Sequence, residues 1–133
     1  MSIKIIRNTG WAGWYLGIKI ILNGENINTI EEMESLEIEL PVDNSYLKVR
    51  QLGVKSNKIM VRDGDKLEIK TTWWYQIIIP VMIIIQLLSL LITFVDNRFS
   101  ILFSLSTFII IISLFIIMII SNNGFHIKII SRK

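Results

Sequence analysis

At 133 residues the chain has the length of one ordinary domain, yet 52% of it is apolar and its mean hydropathy is +0.55, which excludes an ordinary soluble domain. The net charge of +3 and a pI near 9.3 do not point to nucleic acid, because acidic and basic residues balance over residues 1–72 and are interspersed, without a basic stripe. With no cysteine, disulfides, thiolate metal sites, thiol nucleophiles and palmitoylation are excluded.

In chain order, residues 1–72 read as short strands. Alternation of apolar and polar residues, which sends successive side chains to opposite faces, is clearest in Ile3-Lys4-Ile5, Ile18-Lys19-Ile20, Leu36-Glu37-Ile38-Glu39-Leu40, Leu47-Lys48-Val49-Arg50 and Leu67-Glu68-Ile69-Lys70. Asn23-Gly24 suits a tight hairpin turn with positive φ, and Pro41 with Asp43-Asn44, Gly53, Ser56-Asn57 and Asp63-Gly64-Asp65 mark later reversals. Strands this short and closely spaced imply a compact antiparallel β-sandwich or open barrel. Met1 to Arg7 has neither an h-region nor a cleavage site, and Met1-Ser2 does not fit a myristoylation start, so no N-terminal targeting signal is expected.

Three segments of this half raise functional questions. Gly10, Gly13 and Gly17 lie among Trp11, Trp14 and Tyr15 without the Gly-Lys-Ser/Thr ending of a phosphate-binding loop. The cluster reads either as a bent strand with its aromatics in the core or as an exposed partner patch or membrane-surface anchor. Glu31 to Ser35 reads as a solvated acidic loop. Asp63-Gly64-Asp65 resembles a fragment of a calcium loop, but Lys66 follows and the downstream ligands are missing, so a plain turn is expected.

The chain then changes character. Trp73–Val95 and Phe99–Ile120 are each long enough as helices, roughly 33–35 Å, to cross a hydrocarbon core of about 30 Å. Helices apolar on every face need either lipid or a protein shell that the remaining residues cannot supply. Trp73, Trp74, Tyr75, Phe99 and Phe125 flank these segments as interfacial aromatics do, and Asp96-Asn97-Arg98 forms the intervening turn. Lys58, Arg62, Lys66 and Lys70 before the hairpin and Lys128, Arg132 and Lys133 after it, against Arg98 alone in the turn, place both termini in the cytoplasm by the positive-inside rule. The expected localisation is a multi-pass protein of the bacterial inner (plasma) membrane, the heavy use of Ile, Asn and Lys pointing to an AT-rich bacterial genome.

Within the spans, Gln86, Ser89 and Thr93 fall close to one face of the first helix, and Ser100, Ser104 and Thr107 do the same on the second, as contacts between antiparallel neighbours would. Ser106 and Ser113 form a second stripe, the kind of face an oligomer or partner subunit uses. No charge lies inside either helix, which argues against a proton relay or an ion-coupled transport site. Beyond the hairpin, residues 121–133 alternate through Phe125, His126, Ile127, Lys128 and Ile129, fitting either an added edge strand or a basic headgroup-binding tail. His126 is the only histidine and has no local carboxylate, so no nucleophile–base pair or metal site forms around it.

Ile18-Lys19-Ile20-Ile21-Leu22-Asn23-Gly24-Glu25, then Leu36-Glu37-Ile38-Glu39-Leu40-Pro41, then Tyr46-Leu47-Lys48-Val49-Arg50 resemble the strand and turn succession of PEGA-like and related small sandwich modules. The resemblance covers roughly residues 14–70 and departs from the pattern at Pro41-Val42-Asp43-Asn44, where the family has Pro-x-Gly. It implies a binding or spacer module and no enzyme. The chain is thus expected to be an α+β membrane protein: a cytoplasmic β-rich domain at 1–72, a transmembrane hairpin at 73–120 and a basic tail at 121–133. Its expected role is a non-catalytic adaptor without cofactor, engaging the lipid bilayer and a protein partner or a second copy of itself. Toxin or bacteriocin immunity would be one use; a small oligomeric pore or membrane-disrupting effector gated by the β domain is the alternative.

Overall fold

The computed structural model describes residues 1–12, 15–95, 101–121 and 123–132. Trp14, the Asp96-Asn97-Arg98 turn, Phe99, Ser100 and Lys133 lie outside the described residues. The chain is α+β, with two sheets and two long apolar helices. It divides into two compact units, Met1–Thr72 with Asn123–Lys133, and Trp73–Asn122.

The β unit contains β1 (Ser2–Arg7), β2 (Ile18–Leu22), β3 (Glu25–Ile30), β4 (Ser35–Glu39), β5 (Ser45–Gln51), β6 (Val54–Lys55), β7 (Ile59–Val61), β8 (Lys66–Thr71) and β9 (Phe125–Ser131). The first sheet has the order β4-β1-β8-β9, with β1 antiparallel to β4 but parallel to β8. The second has the order β3-β2-β5-β6, and β7 also pairs with β5. One face of β1, β8 and β9 supplies Ile3, Ile5, Leu67, Ile69 and Phe125 to the core, and one face of β2 and β5 supplies Ile18, Ile20, Leu47 and Val49, all buried. Two sheets that each bury one face in this way fit a β-sandwich.

The turn between β2 and β3 has φ of 51° at Asn23 and 96° at Gly24, the paired positive values that hairpin strands joined by two residues require. β3 itself carries no alternation, because all but its last residue, Ile30, are exposed. An edge strand with water on both sides has no apolar face to write into its sequence.

The tail segment is β9, antiparallel to β8, with Phe125 opposite Thr71, Ile127 opposite Ile69 and Ile129 opposite Leu67. The Asn57 side chain extends the pairing: its Oδ1 accepts from the Ile127 amide at 2.8 Å and its Nδ2 donates to the Ile127 carbonyl at 3.2 Å. At the far end, Asp65 is fully buried and its carboxylate accepts from Arg132 Nε at 3.1 Å and Nη2 at 3.2 Å. The Asp63-Gly64-Asp65 turn, with Gly64 at φ 78°, therefore fastens the tail. Phe125 is correspondingly not an interfacial anchor. Its ring is fully buried in the β core, where lipid cannot reach it.

In the other unit, α1 (Trp73–Val95) runs through Pro80 and α2 spans Ile101–Ser121. Proline removes one amide from the helical ladder, a loss that spanning helices accommodate more readily than soluble ones. Only 6% of each apolar span is buried. Two helices that turn Ile and Leu outward on most sides are long and apolar enough to cross a membrane.

Candidate functional site

The helix pair contacts along a seam of small polar side chains. Ser89 Oγ and Thr107 Oγ1 share a hydrogen bond at 3.0 Å, and Gln86 Nε2 reaches Ser104 Oγ at 3.4 Å. Ser89 and Ser104 are buried there. Thr93 Oγ1 donates to the Ser89 carbonyl at 2.9 Å and Thr107 Oγ1 to the Ser104 carbonyl at 2.8 Å, so the seam is fixed both across and along the helices. Toward the other end of the hairpin, Tyr75 stacks on Phe115 with centroids 6.2 Å apart, and Trp74 meets the Tyr75 ring edge-on at 5.7 Å. Tyr75 is therefore a packing residue, buried between the helices, while Trp73 is exposed.

The seam leaves one polar atom unmatched. Gln86 Oε1 is the buried side-chain oxygen or nitrogen without a hydrogen-bond partner among the described residues. Exchanging the amide oxygen and nitrogen would not cure this, because Ser104 satisfies one end of the amide and the other end stays bare. Beside it runs an apolar groove of about 240 Å³ lined by Met82, Ile83 and Leu87 of α1 and by Phe108, Ile111 and Ile112 of α2.

Ser106 and Ser113 behave differently. Both are exposed, but Ser106 Oγ donates to the Phe103 carbonyl and Ser113 Oγ to the Ile109 carbonyl, each at 2.8 Å. A hydroxyl folded back onto its own helix can face hydrocarbon with its donor satisfied. The second stripe is thus self-contained, and the residue with an open hydrogen-bonding demand is Gln86.

In the β unit, the described residues of the aromatic segment are not in a strand. Gly10–Ala12 forms a single 3-10 turn, and Trp11 and Tyr15 are exposed. Sequence reasoning missed what holds this segment in place. Arg7, fully buried at the end of β1, donates from Nη1 to the Leu16 and Ile30 carbonyls at 2.8 Å each and from Nε to Thr9 Oγ1 at 3.1 Å. It also pairs with Glu32 at 3.1 Å. Burial pulls the Arg7 guanidinium below its ordinary pKa, and the Glu32 and Glu31 carboxylates push it back up. Glu32 is accordingly not part of a free acidic loop: its carboxylate also accepts from the Thr9 hydroxyl and from the Thr9 and Gly10 amides, the last at 3.0 Å. The only hint in the sequence was an arginine at a position where β1 alternation calls for an inward apolar residue.

The basic residues are likewise less dispersed than their spacing suggests. Register places Lys19 beside Arg50 and Arg50 beside Lys55, a row of three cations across β2, β5 and β6 on the outer face of the second sheet. Lys58 lies at 4.1 Å over the Tyr46 ring near the same face. His126 is exposed on β9 opposite Lys70. Among the described residues there is no group of three or more histidines and carboxylates placed to hold a metal ion. No family model, curated protein or solved structure matches the chain.

Proposed function

We propose that this chain is a non-catalytic, membrane-anchored interaction subunit. In this reading α1 and α2 cross the bacterial inner membrane with both termini in the cytoplasm, and the β unit engages a partner there. Neutralisation of a toxin or bacteriocin is one biological use of such a protein. The resemblance of residues 14–70 to PEGA-like modules is in keeping with a binding or spacer role for the β unit.

The observation that carries the reading is the unpartnered Oε1 of Gln86 beside an apolar groove formed by both helices. Hydrocarbon offers that oxygen no hydrogen bond, whereas a third helix, from a partner or a second copy, can present a donor and fill the groove. A pore is the weaker alternative, because the hydroxyls of Ser106 and Ser113 that would line it are committed to their own helix.

The test is the composition of the purified complex in mild detergent. One stoichiometric partner or a defined oligomer is expected, and Gln86→Leu should weaken it by about 1–2 kcal/mol, seen as subunit loss on dilution. A strictly monomeric protein, unaltered by Gln86→Leu, defeats the reading; ion flux through liposomes containing the protein alone would replace it with the pore.

A further inference from the structure

Four of the exposed apolar side chains of the β unit lie where the chain leaves that unit, while others, such as Met1, Ile27, Val42 and Ile130, are spread over the rest of it. Asn8 and Thr9 lie beside the end of β8, since Thr71 Oγ1 donates to the Thr9 carbonyl at 2.7 Å and the Asn8 amide to the Ile69 carbonyl at 2.9 Å. Gln51 Nε2 donates to the Leu16 carbonyl at 2.6 Å, which joins the same end to the β5–β6 turn, Leu52-Gly53. The chain departs at Thr72 and returns at Asn123: the Thr72 amide donates to the Gly124 carbonyl at 2.9 Å, and the Gly124 amide to the Lys55 carbonyl at 3.0 Å. One end of the β unit thus holds both crossing points together with Trp11, Tyr15, Leu16 and Leu52. All four are exposed, Leu52 to 73%.

Cations edge this apolar tip. The Lys19-Arg50-Lys55 row ends beside it, and an open groove of about 510 Å³ runs between Leu16, Lys19, Arg50 and Leu52. None of the three cations has an ion pair among the described residues. Of the acids at this end, Glu32 is paired with Arg7 and Glu34 accepts from the Glu31 amide, while the Glu31 carboxylate lies against Gly17 at the rim of the groove. Adjacent like charges without counter-ions are unfavourable in a sheet unless something anionic neutralises them.

We infer that this end of the β unit is a docking surface for an anionic lipid bilayer, with Trp11, Tyr15, Leu16 and Leu52 entering the headgroup layer and Lys19, Arg50 and Lys55 binding its phosphates. The inference rests on the membrane reading given above. If α1 spans, Trp73 enters the interface one residue after Thr72, and consecutive Cα atoms are only about 3.8 Å apart. Chain continuity then tethers Thr72 to that interface. Tryptophan, tyrosine and basic residues are the side chains that this layer favours, and the cytoplasmic leaflet supplies the negative charge.

Because the chain has no native cysteine, introduced cysteines label uniquely. Spin labels at Leu52→Cys, at Val42→Cys on the opposite end of the β unit and at Ile84→Cys in α1 would be compared in the full-length protein. The protein is reconstituted in nanodiscs of phosphatidylcholine with or without phosphatidylglycerol, and exposure to an aqueous relaxation agent is read. Leu52→Cys is expected to be shielded in the anionic discs while Val42→Cys stays aqueous. Each of Lys19→Gln, Arg50→Gln and Lys55→Gln should lower the docked fraction about fivefold, the equivalent of ~1 kcal/mol per cation. If Ile84→Cys lies in hydrocarbon but Leu52→Cys is as exposed as Val42→Cys, the docking surface is refuted and the membrane reading stands. An aqueous Ile84→Cys removes both. Shielding of Leu52→Cys by a soluble oligonucleotide in neutral discs would overturn the lipid assignment in favour of a nucleic-acid face.

Discussion

The two units of this molecule solve the placement of polar groups in opposite ways. In the β unit the apolar residues are inside, and the one arginine that joins them, Arg7, is surrounded by carbonyls, a hydroxyl and a carboxylate. In the helix pair the apolar residues are outside, and the inside is a line of serines, threonines and an amide. Water rewards the first arrangement by the hydrophobic effect; a medium that is itself apolar gives no such reward, so the helices meet through close packing and hydrogen bonds. In the proposed membrane reading each unit is thus matched to a different solvent.

Substitutions should separate the two regimes, beginning where the effect is largest. Arg7→Ala removes one partner of a buried pair, leaving Glu32 without its cation and the Leu16 and Ile30 carbonyls without the Arg7 donor. It should destabilise the β unit by about 3–5 kcal/mol, measured as thermal unfolding of the full-length protein in detergent. Arg7→Lys should rescue little, because a single ammonium cannot replace the planar fork that reaches Leu16, Ile30 and Thr9 at once. Next comes Ile84→Asp on the outward face of α1. A spanning helix should lose about 2.5–3.5 kcal/mol of insertion free energy, measured as glycosylation-reported insertion, whereas a helix standing in water would be indifferent to the change.

Ser89→Ala tests the seam itself. Removing its bond to Thr107 should weaken helix pairing by about 0.6 kcal/mol, the average for such bonds in membranes, read by a double-mutant cycle with Thr107→Val. The smallest effect is expected at Ser106→Ala and Ser113→Ala. Their hydroxyls contact only their own helix, so stability should stay within about 0.5 kcal/mol of the parent. A large loss at either position would make the second stripe an interface after all and erase the distinction between seam and surface.

How much of this could be read in the sequence depended on whether the signal was local. The helices are legible because a bilayer-length apolar run is a property of consecutive residues, and β1, β2, β4, β5 and β8 are legible because one buried face imposes alternation. β3 escapes because water bathes most of its residues, and β6 and β7 are too short to show a period. Phe125 misleads for a related reason. An aromatic a few residues after an apolar helix looks interfacial until pairing with β8 carries it into the core.

The candidate sites divide in the same way. Gln86, Ser89, Thr93, Ser104 and Thr107 share faces by helical spacing, which the sequence displays directly. What spacing does not display is saturation: the same residue types in Ser106 and Ser113 are self-satisfied, while Gln86 is not. The Arg7–Glu32 pair and the Lys19-Arg50-Lys55 row are invisible in sequence because strand pairing, and not chain proximity, brings their members together.

The pairing of β8 with β9 also has a consequence for synthesis. The whole helical segment, Trp73–Asn122, is inserted between two strands that lie side by side, so the ribosome must finish both helices before the last strand exists. Until then β8 presents an open edge, and the core lacks Phe125 and Ile127. Completion of the β unit therefore reports that the hairpin has been made, and a chain stalled or misthreaded partway would be marked by an unfinished sheet that proteases can recognise.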